Sequence, residues 1–353
     1  MGRFIEKFNI LHIDTEEHLG GGEKQLKFLV DNLDSDVNST LALRDALEIK
    51  DFFKGRRDCY FLNFHGSFDI LSLLKLKKII KKNRINIIHA HTGLAANYAF
   101  VLKPFVDKIV ATRRVSIPIR NWLSKKKYAS FDKIIVVSQS IKKQLYFLDK
   151  SKVEWIESAL DEKFLECPTR EDAINMLHLN RNNMYICNIG KIEEMKGQAY
   201  LIEALSLIKK ENIGNVKLLI AGRGNITKLK QLADKMSVAE DVIFLGFIND
   251  TRYVYKASSI CVVSSIFGEG SSAAIKEALA CKTPVIATNV GGAEFLVGEN
   301  GIIIRPKSAL DIKDAVIALM KNEKKLNNSF DARIFAPKRM AEQYKFVYES
   351  LYK

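Results

Sequence analysis

Residues 258–297, SSICVVSSIFGEGSSAAIKEALACKTPVIATNVGGAEFLV, read in order as a buried strand, a turn of small residues, a helix, a second strand and a Gly-Gly turn. Short runs rich in Ile and Val joined by segments of helical period are the signature of βα units around a parallel sheet, so the expected class is α/β. The same alternation extends outward. Strands are expected at 184–190 (MYICNIG), 216–222 (VKLLIAG), 241–246 (DVIFLG), 259–265 and 284–289. An earlier series is expected at 8–13 (FNILHI), 85–91 (INIIHAH), 108–113 (KIVATR) and 133–138 (KIIVVS), with helices at 22–33, 69–82 and 139–147.

Two series imply two cores, and 353 residues at 47% hydrophobic content are enough to fill both. Charge and a proline interrupt the apolar pattern around 160–180, which reads as a linker without a clear strand. The expected domains are 1–165 and 166–335. A final amphipathic helix, 336–353, spaces Met340, Tyr344, Val347 and Leu351 at helical intervals and is expected to pack back toward the first domain.

The formal charge of +14 predicts attraction to phosphate, whether of a nucleotide, a lipid or a nucleic acid. Basic residues concentrate in the first half, at Lys75, Lys77, Lys78, Lys81, Lys82 and Arg84, and again at Arg113, Arg114, Arg120 and Lys125 to Lys127. No apolar run reaches the length of a membrane span, and the start MGRFIEKFNI has no apolar leader, so a cytoplasmic protein is expected. Cys59, Cys167, Cys187, Cys261 and Cys281 are scattered, with no CxxC pair, and read as reduced, mostly buried thiols.

Within 258–297, Glu269 falls in the turn after a strand, and Glu277 lies seven intervening residues later inside the helix. Carboxylates so spaced are often mere surface charge. Here both can face the crevice at the carboxyl edge of the sheet, where open α/β sheets bind ligands. Gly270, Ser271 and Ser272 are small residues where the helix begins, so free backbone N–H groups can approach an anion such as a diphosphate. The carboxylates would repel that anion and suit hydroxyls instead. Hydroxyl, diphosphate and hydroxyl in sequence describe a nucleoside diphosphate sugar.

Strand, EGSSAAIKE, ALACKTPVIAT and NVGG together resemble the E-x7-E region of the retaining family 4 glycosyltransferases of GT-B fold, and the resemblance covers most of the chain from residue 8 onward. It implies two Rossmann-like domains whose parallel sheets face across a deep cleft, the first binding the acceptor and the second the nucleotide sugar. By resemblance Glu269 holds hydroxyls of the transferred sugar and Glu277 those of the ribose. Gly270, Ser271 and Ser272 stand where members often have Gly, Phe, Gly.

Further motifs match that pattern. NIGKIEEMKGQAYLIEAL resembles the G-R-x4-K-G element, placing Lys191 and Lys196 on the donor diphosphate, with Lys191 where Arg is usual. Gly21 and Gly22, in the Gly-rich loop after the first strand, permit close backbone approach to phosphate or sugar. His91, at a strand end, resembles the histidine that reaches the transferred sugar, while His89 reads as structural. Gly246, Phe247 and Ile248 occupy the place of the base-binding turn. Arg113 and Arg114 end a strand before an irregular segment where an acceptor loop would lie, and a solvated basic loop is the other reading.

The resemblance implies transfer of a hexose-type sugar with retention to a bacterial envelope glycan or glycolipid, such as lipopolysaccharide core or a lipid-linked polysaccharide. No cofactor is expected beyond the sugar nucleotide, and no metal, because neither an Asp-x-Asp pair nor a histidine cluster with ligand spacing is expected to hold one and the lysines supply the positive charge. The helix LSLLKLKKIIKK, 71–82, mixes Leu and Ile with Lys as interfacial helices do, so peripheral contact with the inner face of the cytoplasmic membrane is expected, against the alternative of an ordinary helix on the sheet. Three other functions fit parts of the pattern. A GT-B nucleotide-sugar epimerase would need further acid/base groups, a nicotinamide enzyme would need GxGxxG after the first strand, and a basic nucleic-acid binder would explain the charge alone.

Overall fold

The computed structural model describes residues 7–66, 69–212, 214–327 and 329–353; residues 1–6, the start read for a leader, lie outside them. The chain forms two compact units, 1–159 with 335–353 and 160–334. Unit 1 runs β1 (Phe8–Asp14), α1 (Gly21–Asn32), β2 (Val37–Arg44), α2 (Leu47–Phe52), β3 (Cys59–Leu62), α3 (Ile70–Lys82), β4 (Ile87–Ala90), α4 (Gly93–Leu102), β5 (Lys108–Arg113), α5 (Trp122–Ala129), β6 (Lys133–Val136), α6 (Gln139–Gln144) and β7 (Val153–Trp155). Its seven strands are all parallel, in the order β3-β2-β1-β4-β5-β6-β7.

Unit 2 runs α7 (Arg170–Met176), β8 (Met184–Ile189), α8 (Gln198–Lys210), β9 (Val216–Ala221), α9 (Thr227–Lys235), β10 (Val242–Gly246), α10 (Arg252–Ala257), β11 (Ile260–Val263), α11 (Ala273–Ala280), β12 (Val285–Thr288), α12 (Ala293–Val297), β13 (Gly301–Ile304) and α13 (Ala309–Met320). Its six parallel strands are ordered β10-β9-β8-β11-β12-β13. The last helix, α14 (Pro337–Ser350), belongs to unit 1 and packs on α1.

Period two along β1 divides its side chains between two cores. Leu11 and Ile13 join Ile88, Ala90, Leu76 and Tyr98 under α3 and α4. Phe8 and Ile10 join Ile87, Val110, Tyr344 and Tyr348 on the side of α14. With both faces covered, each strand loses its exposed side, which is why these strands read as near-continuous apolar runs.

Four strands escape that reading. In β2, Asn38, Ser39 and Thr40 interrupt the apolar run, β3 and β7 are short, and β13 is the four residues GIII. The segment expected as a linker also holds regular structure, because Thr169 and Asp172 form a reciprocal capping box that starts α7. That helix docks on α10.

Each strand order reverses once, between β1 and β4 in unit 1 and between β8 and β11 in unit 2. At such a point adjacent crossovers leave in opposite directions, and a crevice opens at the carboxyl ends. Among the described residues no helix is long and apolar enough to cross a membrane.

Candidate functional site

At the reversal point of unit 2, β8 leads through Gly190 and Lys191 into a short 3-10 turn ending at Lys196, and β11 leads through Ser264 and Ser265 to Glu269. The ammonium of Lys196 meets Glu269 Oε1, which also accepts from Ser265 Oγ at 2.6 Å. Backbone contacts hold the two connections together. Ser264 Oγ donates to Lys196 O at 2.8 Å, and Ile266 N donates to Met195 O at 2.8 Å. Between them, Gly197 adopts φ +66°, and a Cβ there would stand 2.2 Å from Ser264 O, so only glycine fits.

Glu269 is held from the other side too. Gly291, at φ +66°, packs so close that a Cβ would lie 2.2 Å from Glu269 O, and Gly292 N donates to Gly270 O at 3.0 Å. NVGG thus acts as a backstop for the acidic turn. Ser272 is the N-cap residue of α11 but makes no side-chain capping bond, so it leaves the first-turn amides without that acceptor.

Glu277, on α11, accepts from Tyr255 Oη at 2.9 Å and from Thr251 Oγ1 at 3.4 Å, both from the α10 region. Burial, and next the charge of Glu277, push the Tyr255 phenol well above its ordinary pKa, so it remains a donor. At the carboxyl ends of β9 and β10, Arg223 lies 4.4 Å over the ring of Phe247, which is exposed beside Gly246 and Ile248. Lys191 differs from Lys196. Its side chain is 60% exposed, and its recorded ionic neighbour is Glu193 at 4.0 Å. The sequence reading passed over Lys276, which is wholly buried next to Glu277 and reaches Ser271 Oγ at 2.8 Å.

In unit 1 the expected Gly-rich loop is the first turn of α1. Gly20 is the N-cap, Gly21 and Gly22 are helical, and Glu23 Oε2 accepts from Gly20 N at 2.6 Å. His91 is buried with both ring nitrogens engaged. Arg114 donates to His91 O at 3.1 Å and approaches His91 Nδ1 at 3.3 Å, while His91 Nε2 lies 3.0 Å from His12 Nδ1. A guanidinium only donates, so Nδ1 accepts and Nε2–H donates to His12, whose other nitrogen faces Ser39 Oγ at 3.3 Å. In this arrangement both ring nitrogens of His91 face groups of the protein. Arg113 donates to Ile117 O and stacks over Tyr128 at 5.9 Å, so it braces its loop.

The fold assembles a histidine cluster that the spacing did not reveal, since His12, His89 and His91 lie side by side. Their nitrogens are already used. His89 bonds Tyr348 Oη and Thr112 Oγ1, both at 2.7 Å, and His12 and His91 bond each other. Burial, reinforced by neighbouring cations, lowers all three pKa values, that of His12 to about 3. These are neutral rings in a hydrogen-bonded layer, and a metal would have to break that layer to be held. The acidic pair Asp34 and Asp36 is likewise occupied, by Lys345 at 3.0 and 2.8 Å and by Lys338.

Comparison with known proteins bears on the family and the fold. Residues 169–334 match the family model described as glycosyl transferases group 1, and residues 20–164 match that of glycosyltransferase family 4. The chain is 28% identical over 321 residues to the UDP-Gal:alpha-D-GlcNAc-diphosphoundecaprenol alpha-1,3-galactosyltransferase of Escherichia coli, covering 82% of each. Its fold is similar to that of a glycosyltransferase from Rickettsia africae, with TM-score 0.84, 22% identity and 99% and 100% of the two chains covered. It is also similar to Anabaena HepE in complex with UDP-glucose, with TM-score 0.84, 18% identity and 97% and 99% covered.

Proposed function

This chain belongs to the group 1 glycosyl transferases and is a nucleotide-sugar-dependent glycosyltransferase, and we propose that it moves a hexose with retention onto a hydroxyl of a bacterial envelope glycan or glycolipid. The observation that carries the proposal is the convergence of Lys196, Ser265 and Glu269 at the reversal point of unit 2, beside the uncapped amides of α11.

The order of groups along the sheet edge supports a bound nucleoside diphosphate sugar. Phe247 and Arg223 lie at β10 and β9, Glu277 meets Thr251 and Tyr255 on the connection from β10 to β11, and Lys196 and Glu269 lie at β8 and β11. Three strand spacings separate β10 from β11, about 14 Å at roughly 4.8 Å each, a length that suits an extended sugar nucleotide. The base then lies by the Gly246 to Ile248 turn, the ribose hydroxyls reach Glu277, and the transferred sugar reaches Glu269.

In the proposed reaction the acceptor hydroxyl attacks the anomeric carbon, and the bond to the diphosphate breaks. Lys196 and the amides of Gly270 to Ala273 stabilise the charge that develops on the leaving oxygen. Lys191 joins them from the exposed rim. The leaving phosphate takes the acceptor proton, and no covalent enzyme intermediate forms. Because fixed cations and amides serve the diphosphate, the proposed transfer needs no metal. From unit 1 we assign Arg114, held by His91, to the acceptor side.

The acceptor's class is supported by the relative with 82% coverage, whose name specifies a lipid diphosphate acceptor, and by unit 1 itself. On α3, Ile70, Leu71 and Leu74 are exposed next to Lys75, Lys77 and Lys78, an apolar and basic face suited to an anionic bilayer. The direct test is a thermal-shift screen against UDP, GDP, ADP, CMP and TDP sugars. A ligand at ~100 times its dissociation constant adds about 2.7 kcal/mol of stability. One carrier should raise the melting temperature, and if none did, the proposed donor site would be abandoned.

A further inference from the structure

Cys167 and Cys281, both in unit 2, bring their sulfurs to 2.7 Å across 114 positions of chain. A disulfide is about 2.05 Å long, so joining them needs a movement of less than about 1 Å. Both thiols are held in place by their surroundings. Cys281 ends α11, its N–H donating to Glu277 O at 3.0 Å, and Lys256 reaches Cys281 O at 3.4 Å. Arg252, on α10, donates to Lys163 O at 3.0 Å and to Glu166 O at 2.6 Å, which fixes the turn leading to Cys167.

The two thiols also differ as a reacting pair must. Cys167 is half-buried, and its hydrogen bond with Cys281, helped by the charges of Lys256 and Arg252, holds its pKa below the ordinary thiol value against the effect of burial. Cys281 is buried, and the same bond together with burial raises its pKa. The thiolate is the nucleophile, so Cys167 suits the attacking role and Cys281 the resolving one. The remaining thiols are less suited. Cys187 and Cys261, register partners on β8 and β11, are wholly buried, and burial and then Asp58 push the Cys59 thiol up to about 11.

We propose that Cys167 and Cys281 form an oxidation site for a hydroperoxide, closing a disulfide that ties the segment opening unit 2 to the end of the helix that carries Glu277. The Cys167 thiolate attacks one peroxide oxygen, the O–O bond breaks, and the departing hydroxide takes up a proton and leaves as water. Cys167 is then a sulfenic acid. The Cys281 sulfur displaces its hydroxyl, which leaves with the Cys281 proton as a second water. Two thiols thus lose two electrons, and one peroxide gains them. In a reducing compartment disulfides are usually transient or redox-sensing, so the thiol pair is the resting form there. Nothing in this chemistry depends on the donor assignment.

Stoichiometric hydrogen peroxide on the full chain tests this, followed by acid quench, unfolding and alkylation of the thiols that remain. Five labels should fall to three, the two lost being Cys167 and Cys281, and an unreduced tryptic digest should contain residues 164–170 joined to 277–282. Dithiothreitol should restore all five. Cys167→Ser should keep its four labels under the same dose, and should that variant fail to fold, the wild-type digest decides. The oxidised wild type should melt about 5 °C or more above the reduced form, since the bond closes a long loop. Five labels surviving the peroxide, a bond to another cysteine or between two chains, linkage equally fast in urea, or an oxidised form that melts no higher each overturns the site.

Discussion

Glu269 and Lys196, 73 positions apart in the chain, close into an ion pair where the strand order of unit 2 reverses. Both are only partly exposed, so each neutralises a charge that would otherwise stand poorly solvated before the donor enters. A bound donor would exchange this pairing for two others, sugar hydroxyls on Glu269 and phosphate on Lys196.

Removing Glu269 should therefore separate chemistry from nucleotide binding. Glu269→Ala is expected to lower the turnover number by about a hundredfold or more, the scale typical of a lost transition-state contact. Affinity for the free nucleoside diphosphate should change little, since Lys196 is left available. Full transfer activity with the natural donor would contradict the proposed sugar contact.

Gly197→Ala probes the joint between the two connections. The backbone at φ +66° and the 2.2 Å approach to Ser264 O cannot both survive a methyl group, so the turn must shift. A loss of about 1–3 kcal/mol in unfolding free energy is expected, together with weaker donor binding. Denaturant melts with and without nucleotide check this, and an unperturbed midpoint would show that the joint tolerates a side chain.

Two buried groups of unit 1 give opposite pH dependences. His12 titrates near 3 in the fold, against 6.5 for the free side chain, because burial and then Arg56 disfavour its charge. The unfolded chain thus binds more protons between these values, and this contribution to stability, fully present above pH 6.5, is lost as pH falls toward 3. Asp14 is raised to about 7 from 3.8, chiefly by burial and then by Glu23, with the backbone N–H of Glu16 and the charge of Arg114 opposing. Its contribution is present below pH 3.8 and lost as pH rises through 7. Asp14→Asn cannot ionise, so its stability relative to the wild type should grow between about pH 4 and pH 7 and level off above that. Parallel stability curves for the two proteins would refute the assignment.

The exposed face of α3 predicts binding to anionic vesicles. Replacing Lys75, Lys77, Lys78, Lys81 and Lys82 by Gln should reduce binding and remove most of its salt dependence, at roughly 1 kcal/mol per basic residue near the surface. Replacing Ile70, Leu71 and Leu74 by Ser should weaken the binding that persists at high salt. Sedimentation with phosphatidylglycerol vesicles measures both, and unchanged binding would remove the membrane from the proposal.

Much of this protein could be read from residue order because its information is local. Apolar runs mark strands buried on both faces, and the seven-residue interval between Glu269 and Glu277 links a turn to the helix after it. Lys191 and Lys196 show the limit. Their spacing placed both beside one strand end, but the turn between them directs Lys196 to Glu269 and leaves Lys191 in solvent.

Contacts between distant segments had no such signal. His12 lies 79 positions from His91, and the sulfurs of Cys167 and Cys281, 114 positions apart, approach to 2.7 Å, although all five cysteines are free. Lys276 reads as an ordinary helical lysine until the turn before α11 closes over it. Periodicity and spacing in the sequence determined which elements form and which end of each sheet carries polar groups. Only the tertiary structure decided which groups meet there and which lose their water, because burial and pairing depend on strand order and crossover packing rather than on distance along the chain.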